Sequence, residues 1–404
     1  MPLSTRAIAR LLLLLSFWLT QPTVAAAQSD ISEEEFLMGL TEDHPSVVAL
    51  RSVIADPVGE ARGAGLWPNP DIWFERESPG EESGQSKLGL SWTPPIDGRR
   101  SLSRNAARES LESARLTMEH ERLVLRLRMR GDFAAWVSAQ ARVDALAELS
   151  ARADSLAGYV AERAAAGEES RLVAQRMSMA VSELRAEFAR AEADLASARA
   201  TASIWSDRIN AASRPTWPEL PEAPETHDAE SHPVLAASLH RMRAADYERR
   251  LGQRWLEAPS FDVGWLTQDG VDGSDGPAFG LTLSVPLFDR RQGERAAAGL
   301  RFEARSAQAK RQRIEASREW EAARDSYNRL RRAALDQPPA NTAADSVLIA
   351  AAAAFRAGET SATDFLETLR AVQSFQVVTI DLYTAALEAH RRLEAAAGHS
   401  LLGY

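Results

Sequence analysis

The chain contains no cysteine. That excludes disulfides, thiolate metal sites, cysteine nucleophiles and a lipid-bearing N-terminal cysteine. It has only two lysines, Lys87 and Lys310, so arginine carries nearly all the positive charge. Positive charge is also in deficit: 47 basic side chains against 57 acidic ones leave a net charge of −10. A nucleic-acid partner, which needs a basic face to displace counterions from phosphates, is therefore not expected. The sequence signatures of dinucleotide, phosphate-loop, zinc-protease and serine-hydrolase sites are missing. Seven histidines are scattered along the chain, and a pair such as His227 and His232 reads as loop residues rather than ligands. Asp269, Asp272 and Asp275 stand three apart, whereas a calcium-binding helix-loop-helix places acidic ligands two apart, so they read as a solvated loop. No enzymatic activity, cofactor or metal site is expected.

Long apolar runs are missing as well. The longest lies at the N-terminus, where Arg6 and Arg10 precede an apolar run from Leu11 to Leu19 and the small residues Ala25, Ala26 and Ala27. Residues 1–27 therefore read as a secretory signal, because a membrane-spanning helix needs about 18 or more apolar residues. The mature chain is expected to be exported, and any insertion into a membrane must use strands.

What the chain does contain is an echo of itself. His44-Pro45 recurs as His232-Pro233, Trp67 as Trp255, Pro70 as Pro259, Leu88 as Leu281, Asp97 as Asp289 and Gly167-Glu168 as Gly358-Glu359, at offsets of 188 to 193 positions. Matches held in one order at nearly constant spacing indicate tandem duplication. The expected organisation is a first repeat over residues 28–213, a proline-rich acidic linker over 214–230 and a second repeat over 231–404.

Each copy opens on a short helix, with a capping box from Ser32 to Glu35 and first-turn prolines at Pro45 and Pro233. A hairpin follows, with strands expected over 71–78 and 87–95, then over 259–268 and 278–287. Leu88, Leu90 and Trp92 alternate with Gly89 and Ser91, and Phe279, Leu281, Leu283 and Val285 alternate with Gly280, Thr282 and Ser284. This period of two gives each hairpin one apolar and one small, polar face. Such a hairpin suits either a soluble sandwich, with the apolar face in a core, or a membrane barrel, with that face in lipid. Trp73, Trp92 and Trp265 suit the aromatic girdle of a barrel. Four strands cannot close one, so a membrane-spanning form must oligomerise.

Between the hairpins the chain is helix-forming. Residues 98–164 contain no proline and only Gly131 and Gly158 as interruptions, enough for a helix roughly 100 Å long at about 1.5 Å per residue. It turns at 163–170 and returns over 171–205, where Met177, Val181, Leu184, Phe188, Ala191, Leu195, Ala198 and Ala202 form a seam at spacings of four and three. The second copy repeats the pattern, with helices expected over 290–334, after the break DQPPANT, and over 362–397.

The stretches LWPNPDIWFE, PPIDGRR, VPLFDRR and AFRAGETSATDFLETL, in that order, resemble the outer-membrane efflux protein family, the TolC-like channels. The first two are similar to its heavy-metal branch. This resemblance implies a mainly α fold with a β-barrel part: a homotrimer in which each chain gives four strands to a 12-stranded outer-membrane barrel and its helical hairpins to a periplasmic tunnel. It further implies a passive exit duct working with an inner-membrane pump and a periplasmic adaptor, exporting metal ions or other small toxic molecules. The adaptor would dock at the turns, on Gly167, Glu168, Ser170, Gly358, Glu359 and Ser361. Acidic residues six and nine positions beyond the second tip glycine, Asp364 and Glu367, would ring the entrance as a pore gate. Two other readings stay open: an exit duct for type I protein secretion, and a periplasmic coiled-coil scaffold that forms no channel.

Overall fold

The computed structural model describes residues 30–80, 83–254, 257–268, 275–337 and 340–402. The proposed secretory signal and the loop residues Asp269 and Asp272 lie outside them. The chain begins with β1 (Asp30–Ile31), α1 (Glu33–Leu37), α2 (Pro45–Leu50), a 3-10 turn (Arg51–Ile54) and α3 (Ala55–Gly63). The hairpin β2 (Asp71–Gly80) and β3 (Ser83–Trp92) leads into α4 (Arg99–Ala165), which returns as α5 (Arg171–Ser203). After β4 (Arg214–Pro215) come α6 (Pro233–Gly252), β5 (Ser260–Gln268), β6 (Gly276–Thr282), α7 (Gln292–Leu335), α8 (Ala340–Arg356) and α9 (Ala362–Ala397).

The local signals act as expected where they are strong. Ser32 and Glu35 make a reciprocal capping box on α1. His44 and His232 cap α2 and α6: each Nδ1 accepts from the backbone N–H two residues on, at 3.2 Å. The two copies then differ. Helix α6 runs unbroken for 20 residues, whereas the first copy breaks into α2, the 3-10 turn and α3. Pro57 is the reason: it has no N–H for the helical ladder and is tolerated only in the first turn of a restarted helix, where it sits in α3.

Two compact units divide the chain, and neither coincides with a sequence repeat. One comprises residues 30–39, 132–218 and 341–380. Its core is built from α4, α5, α8 and the start of α9, where Leu149, Leu156, Val160, Met177, Leu184, Leu348, Phe355, Phe365 and Leu369 are all at most 3% exposed. Of the α5 seam, Met177, Val181, Leu184, Ala191, Leu195 and Ala202 are buried and Phe188 and Ala198 half-buried. In the same unit β1 and β4 pair in parallel, Asp30 opposite Arg214.

The other unit comprises residues 40–131, 219–340 and 381–402 and holds an antiparallel sheet in the order β2-β3-β5-β6. The fourth strand stops at Thr282 rather than at Leu287 as the alternation suggested. Thr282 faces Ser260, the first residue of β5, and the residue before it is Pro259, which cannot donate to a ladder.

Candidate functional site

The helical tips are built alike from backbone geometry. Gly167 and Gly358 take φ values of +81° and +74°, a left-handed conformation that side chains other than glycine adopt at a cost. At the first tip Gly167 N–H donates to Ala164 O at 3.3 Å and Glu168 N–H to Arg163 O at 2.9 Å. At the second, Gly358 N–H donates to Phe355 O at 3.0 Å and Glu359 N–H to Ala354 O at 2.9 Å. Both are Schellman motifs, which close the last carbonyls of a helix. Ser170 Oγ then accepts from Leu172 N–H at 3.2 Å to start α5. Underneath, Phe355 packs edge-on against Tyr159 and tilted against Phe365. Gly167, Glu168, Ser170, Gly358, Glu359 and Ser361 are all exposed, so each tip is a short, exposed, acidic turn. The Arg163 guanidinium lies 3.6 Å from the Glu168 carboxylate.

Asp364 and Glu367, read together from the resemblance, have different surroundings. Asp364 Oδ2 accepts from the Ser361 hydroxyl at 2.8 Å and from the Ser361 N–H at 3.1 Å, while Ser361 Oγ accepts from Asp364 N–H at 3.2 Å. That reciprocal pattern is a capping box at the start of α9. The hydroxyl bond, and after it the backbone bond, holds the Asp364 carboxyl below the usual aspartate range. Glu367 is exposed and makes no hydrogen bond or ion pair among the described residues. Arg370, one turn on, lies 3.9 Å from Glu183 instead.

The sheet has two unlike faces. Opposed pairs such as Ile72 with Leu90, Phe74 with Leu88, Leu88 with Trp265, Leu90 with Val263 and Val263 with Phe279 place the large apolar side chains on one side. They are exposed, Ile72 and Phe279 at 79% each. The other side carries Gly89, Ser91, Asp262, Gly264 and Gly280, with Lys87 lying 3.7 Å from Glu75 and 3.9 Å from Glu77.

Trp73 corrects the expected girdle. It stands opposite Gly89, on the small polar face, and its ring covers that glycine so closely that a Cβ there would sit 2.5 Å from Trp73 Cζ2. Trp92 and Trp265 remain on the apolar face. Since side chains alternate along a strand, Trp73 cannot share a face with Ile72 and Phe74. The partner of Trp92 is Trp67, at 5.5 Å between ring centroids, with the Arg100 guanidinium 4.6 Å from the Trp67 ring and Trp92 Nε1 donating to Pro68 O at 3.0 Å. Sequence alone marked Trp67 as a repeated residue within LWPNPDIWFE; this tertiary contact gives it a neighbour 25 positions away.

No protein-family model matches the chain, and no curated protein matches it in sequence. Solved structures do match in fold. The outer-membrane protein VceC from Vibrio cholerae is 17% identical, with 92% of this chain and 97% of that one covered at a TM-score of 0.74. The CmeC outer-membrane channel of Campylobacter jejuni is 14% identical over 91% and 85%, also at 0.74. The MtrE outer-membrane channel of Neisseria gonorrhoeae, in its open state, is 16% identical over 91% and 89% at 0.70. The long helical hairpins and the four-stranded sheet of this chain thus make up, nearly end to end, the fold of these outer-membrane proteins.

Proposed function

We propose that the protein is the outer-membrane exit duct of a tripartite efflux system, acting as a homotrimer without chemistry of its own. The observation that carries this reading is the sheet. A face with ten large apolar side chains from Ile72 to Leu281, exposed by 37 to 79%, has no aqueous explanation, because soluble monomers rarely leave so large an apolar patch uncovered. Lipid covers such a face, and the small polar face then lines water. Among the described residues no helix is long and apolar enough to cross a membrane, so strands are the route the chain offers.

The sheet has two free edges, β2 and β6, and hydrocarbon does not tolerate open edges. Three copies joined β6 to β2 make 12 strands and remove every edge. Residues 283–287, whose Leu283, Val285 and Leu287 alternate and are 52 to 66% exposed, are placed to extend β6 along a neighbouring β2. The fold shared with the outer-membrane channels supports the same assembly. In it the helical tips face the periplasm and meet an adaptor that links the duct to an inner-membrane pump. Cargo is metal ions or other small toxic molecules, selected by the pump.

Fractionation and electrophoresis with and without boiling test the placement. An outer-membrane protein that runs as a trimer unheated and as a monomer after heating is expected; a chain that stays soluble without detergent contradicts it.

A further inference from the structure

Four of the seven histidines meet in one place, within the unit that holds the sheet. His120 lies on α4, His227 in the linker, His232 at the cap of α6 and His399 just beyond α9. The His120 and His232 rings are 6.0 Å apart, and those of His227 and His399 stack at 6.1 Å, with Trp320 of α7 stacked at 5.5 Å on His227.

Two of the four have hydrogen-bond partners at their ring nitrogens. His232 Nδ1 accepts the Val234 N–H, leaving Nε2 to donate to Ala395 O at 3.2 Å. His399 Nδ1 lies 3.1 Å from Ala397 O. The other two each hold a buried ring nitrogen, His120 Nδ1 and His227 Nε2, with no hydrogen-bond partner among the described residues. A proton added at either would be a buried donor with no acceptor, and a charge facing other imidazoles.

We propose that this cluster is an acid-released clasp: proton uptake at His120 and His227 frees linker residues 222–231 from α4 and α7, while the rest of the unit stays folded. The linker is fastened at two points of different chemistry. Upstream, Tyr327 OH donates to Pro221 O at 2.6 Å and Arg331 Nε to Leu220 O at 2.9 Å, bonds that do not titrate in mild acid. Downstream, among the described residues, the histidine cluster, the Glu230–Arg313 ion pair and the Arg331–Glu222 contact at 3.8 Å hold it, both ion pairs with exposed carboxylates.

The charges around the cluster do not offset the effect. Glu121 favours protonation of His120 and Asp228 that of His227, but burial and then the facing histidines outweigh them, so both pKa values lie below the ordinary 6.5. Glu119, Arg122 and Arg126 of α4 line a groove with His399, where Arg122 is paired with Glu42. On α7 the Arg324 guanidinium sits 5.4 Å from the Trp320 ring, and Glu394 of α9 is taken by Arg130. With both pKa values depressed in the folded state, the clasp holds above pH about 6.5 and weakens as pH falls below it.

Hydrogen–deuterium exchange of the full chain in detergent, at pH 7.5 and 5.0 and corrected for intrinsic rates, reads the clasp directly. Residues 222–231 should exchange severalfold faster at pH 5.0, with 219–221 and the cores of α4 and α7 unchanged. In His120→Gln with His227→Gln, the pH difference over 222–231 should vanish; the two single variants, each expected to halve the effect, serve if the double variant does not fold. Equal exchange at both pH values in the wild-type chain overturns the proposal. So does a pH difference that persists in the variants, or acid exposure that includes 219–221 and therefore reports general unfolding.

Discussion

Ser361 and Asp364 exchange hydrogen bonds at the start of α9, the hydroxyl and N–H of the serine to the carboxylate and the aspartate N–H back to the serine oxygen. The carboxylate proposed for an entrance ring is thus also what starts the helix behind the second tip. Glu367, one turn on, has no such duty.

The two acidic residues should therefore separate on substitution. Glu367→Gln should reduce cation preference and block by multivalent cations in purified channels while leaving tip stability unchanged. Asp364→Asn should lower both, because the amide keeps only part of the cap and loses the charge that favours a helix N-terminus. If Glu367→Gln alters neither selectivity nor block, the gate proposal fails for that residue whatever Asp364 does.

Acid should act on the cap in a predictable direction. The folded Asp364 pKa is depressed, so its contribution is present above the unfolded value of about 3.9 and is lost as pH falls below it. Exchange at residues 361–365 should rise below that pH in the wild-type chain and show no such step in Asp364→Asn.

Gly167→Ala and Gly358→Ala should each destabilise their tip by roughly 1–2 kcal/mol, the cost of a left-handed backbone with a Cβ. Nothing stands within 4 Å of the added carbon at either site, so the loss would be conformational rather than steric. Thermal melting of the paired variants checks this; an unchanged midpoint would mean the tips rearrange freely.

The two glycines inside α4 should behave differently from each other. Gly158 is exposed with open space around it, and Gly158→Ala should stabilise by about 0.5–1 kcal/mol. Gly131 lies under Arg391, whose Nη1 stands 2.2 Å from where a Cβ would be. Gly131→Ala must displace that guanidinium and should show a smaller gain or a loss in the same melts.

Much of the fold was legible because its signals are local. His-Pro at a helix start and glycine before a capping serine each act within a few residues, and each appears twice. Parity would also have separated Trp73 from Trp92 and Trp265, since Ile72 and Phe74 flank it on the apolar face. The S-x-x-D spacing of Ser361 and Asp364 is equally readable as a cap. By contrast, the meeting of His120, His227, His232 and His399 was not legible: it depends on how three helices and a linker pack, which no local pattern encodes.

Another such non-local group is Arg130, His390, Glu394 and Tyr327. Arg130 pairs with Glu394, both at most 2% exposed, and Arg130 Nη2 lies 3.3 Å from His390 Nδ1. Arg130→Leu should cost about 3–5 kcal/mol, because it leaves a carboxylate buried without its partner. Burial and, after it, the Arg130 charge push the His390 pKa down to about 3. Its contribution is complete above pH about 6.5 and is lost as pH falls toward about 3. Acid unfolding followed by circular dichroism should be shallower across that range in His390→Gln than in the wild-type chain.

The central claim, that three copies of this chain enclose a water-filled pore through the outer membrane, is tested most directly by single-channel recording of the purified, heat-modifiable trimer in a planar lipid bilayer. Stepwise, cation-preferring conductance is the predicted result. A trimer that inserts into the bilayer and never conducts, or a chain that needs no detergent to remain in solution, would contradict it.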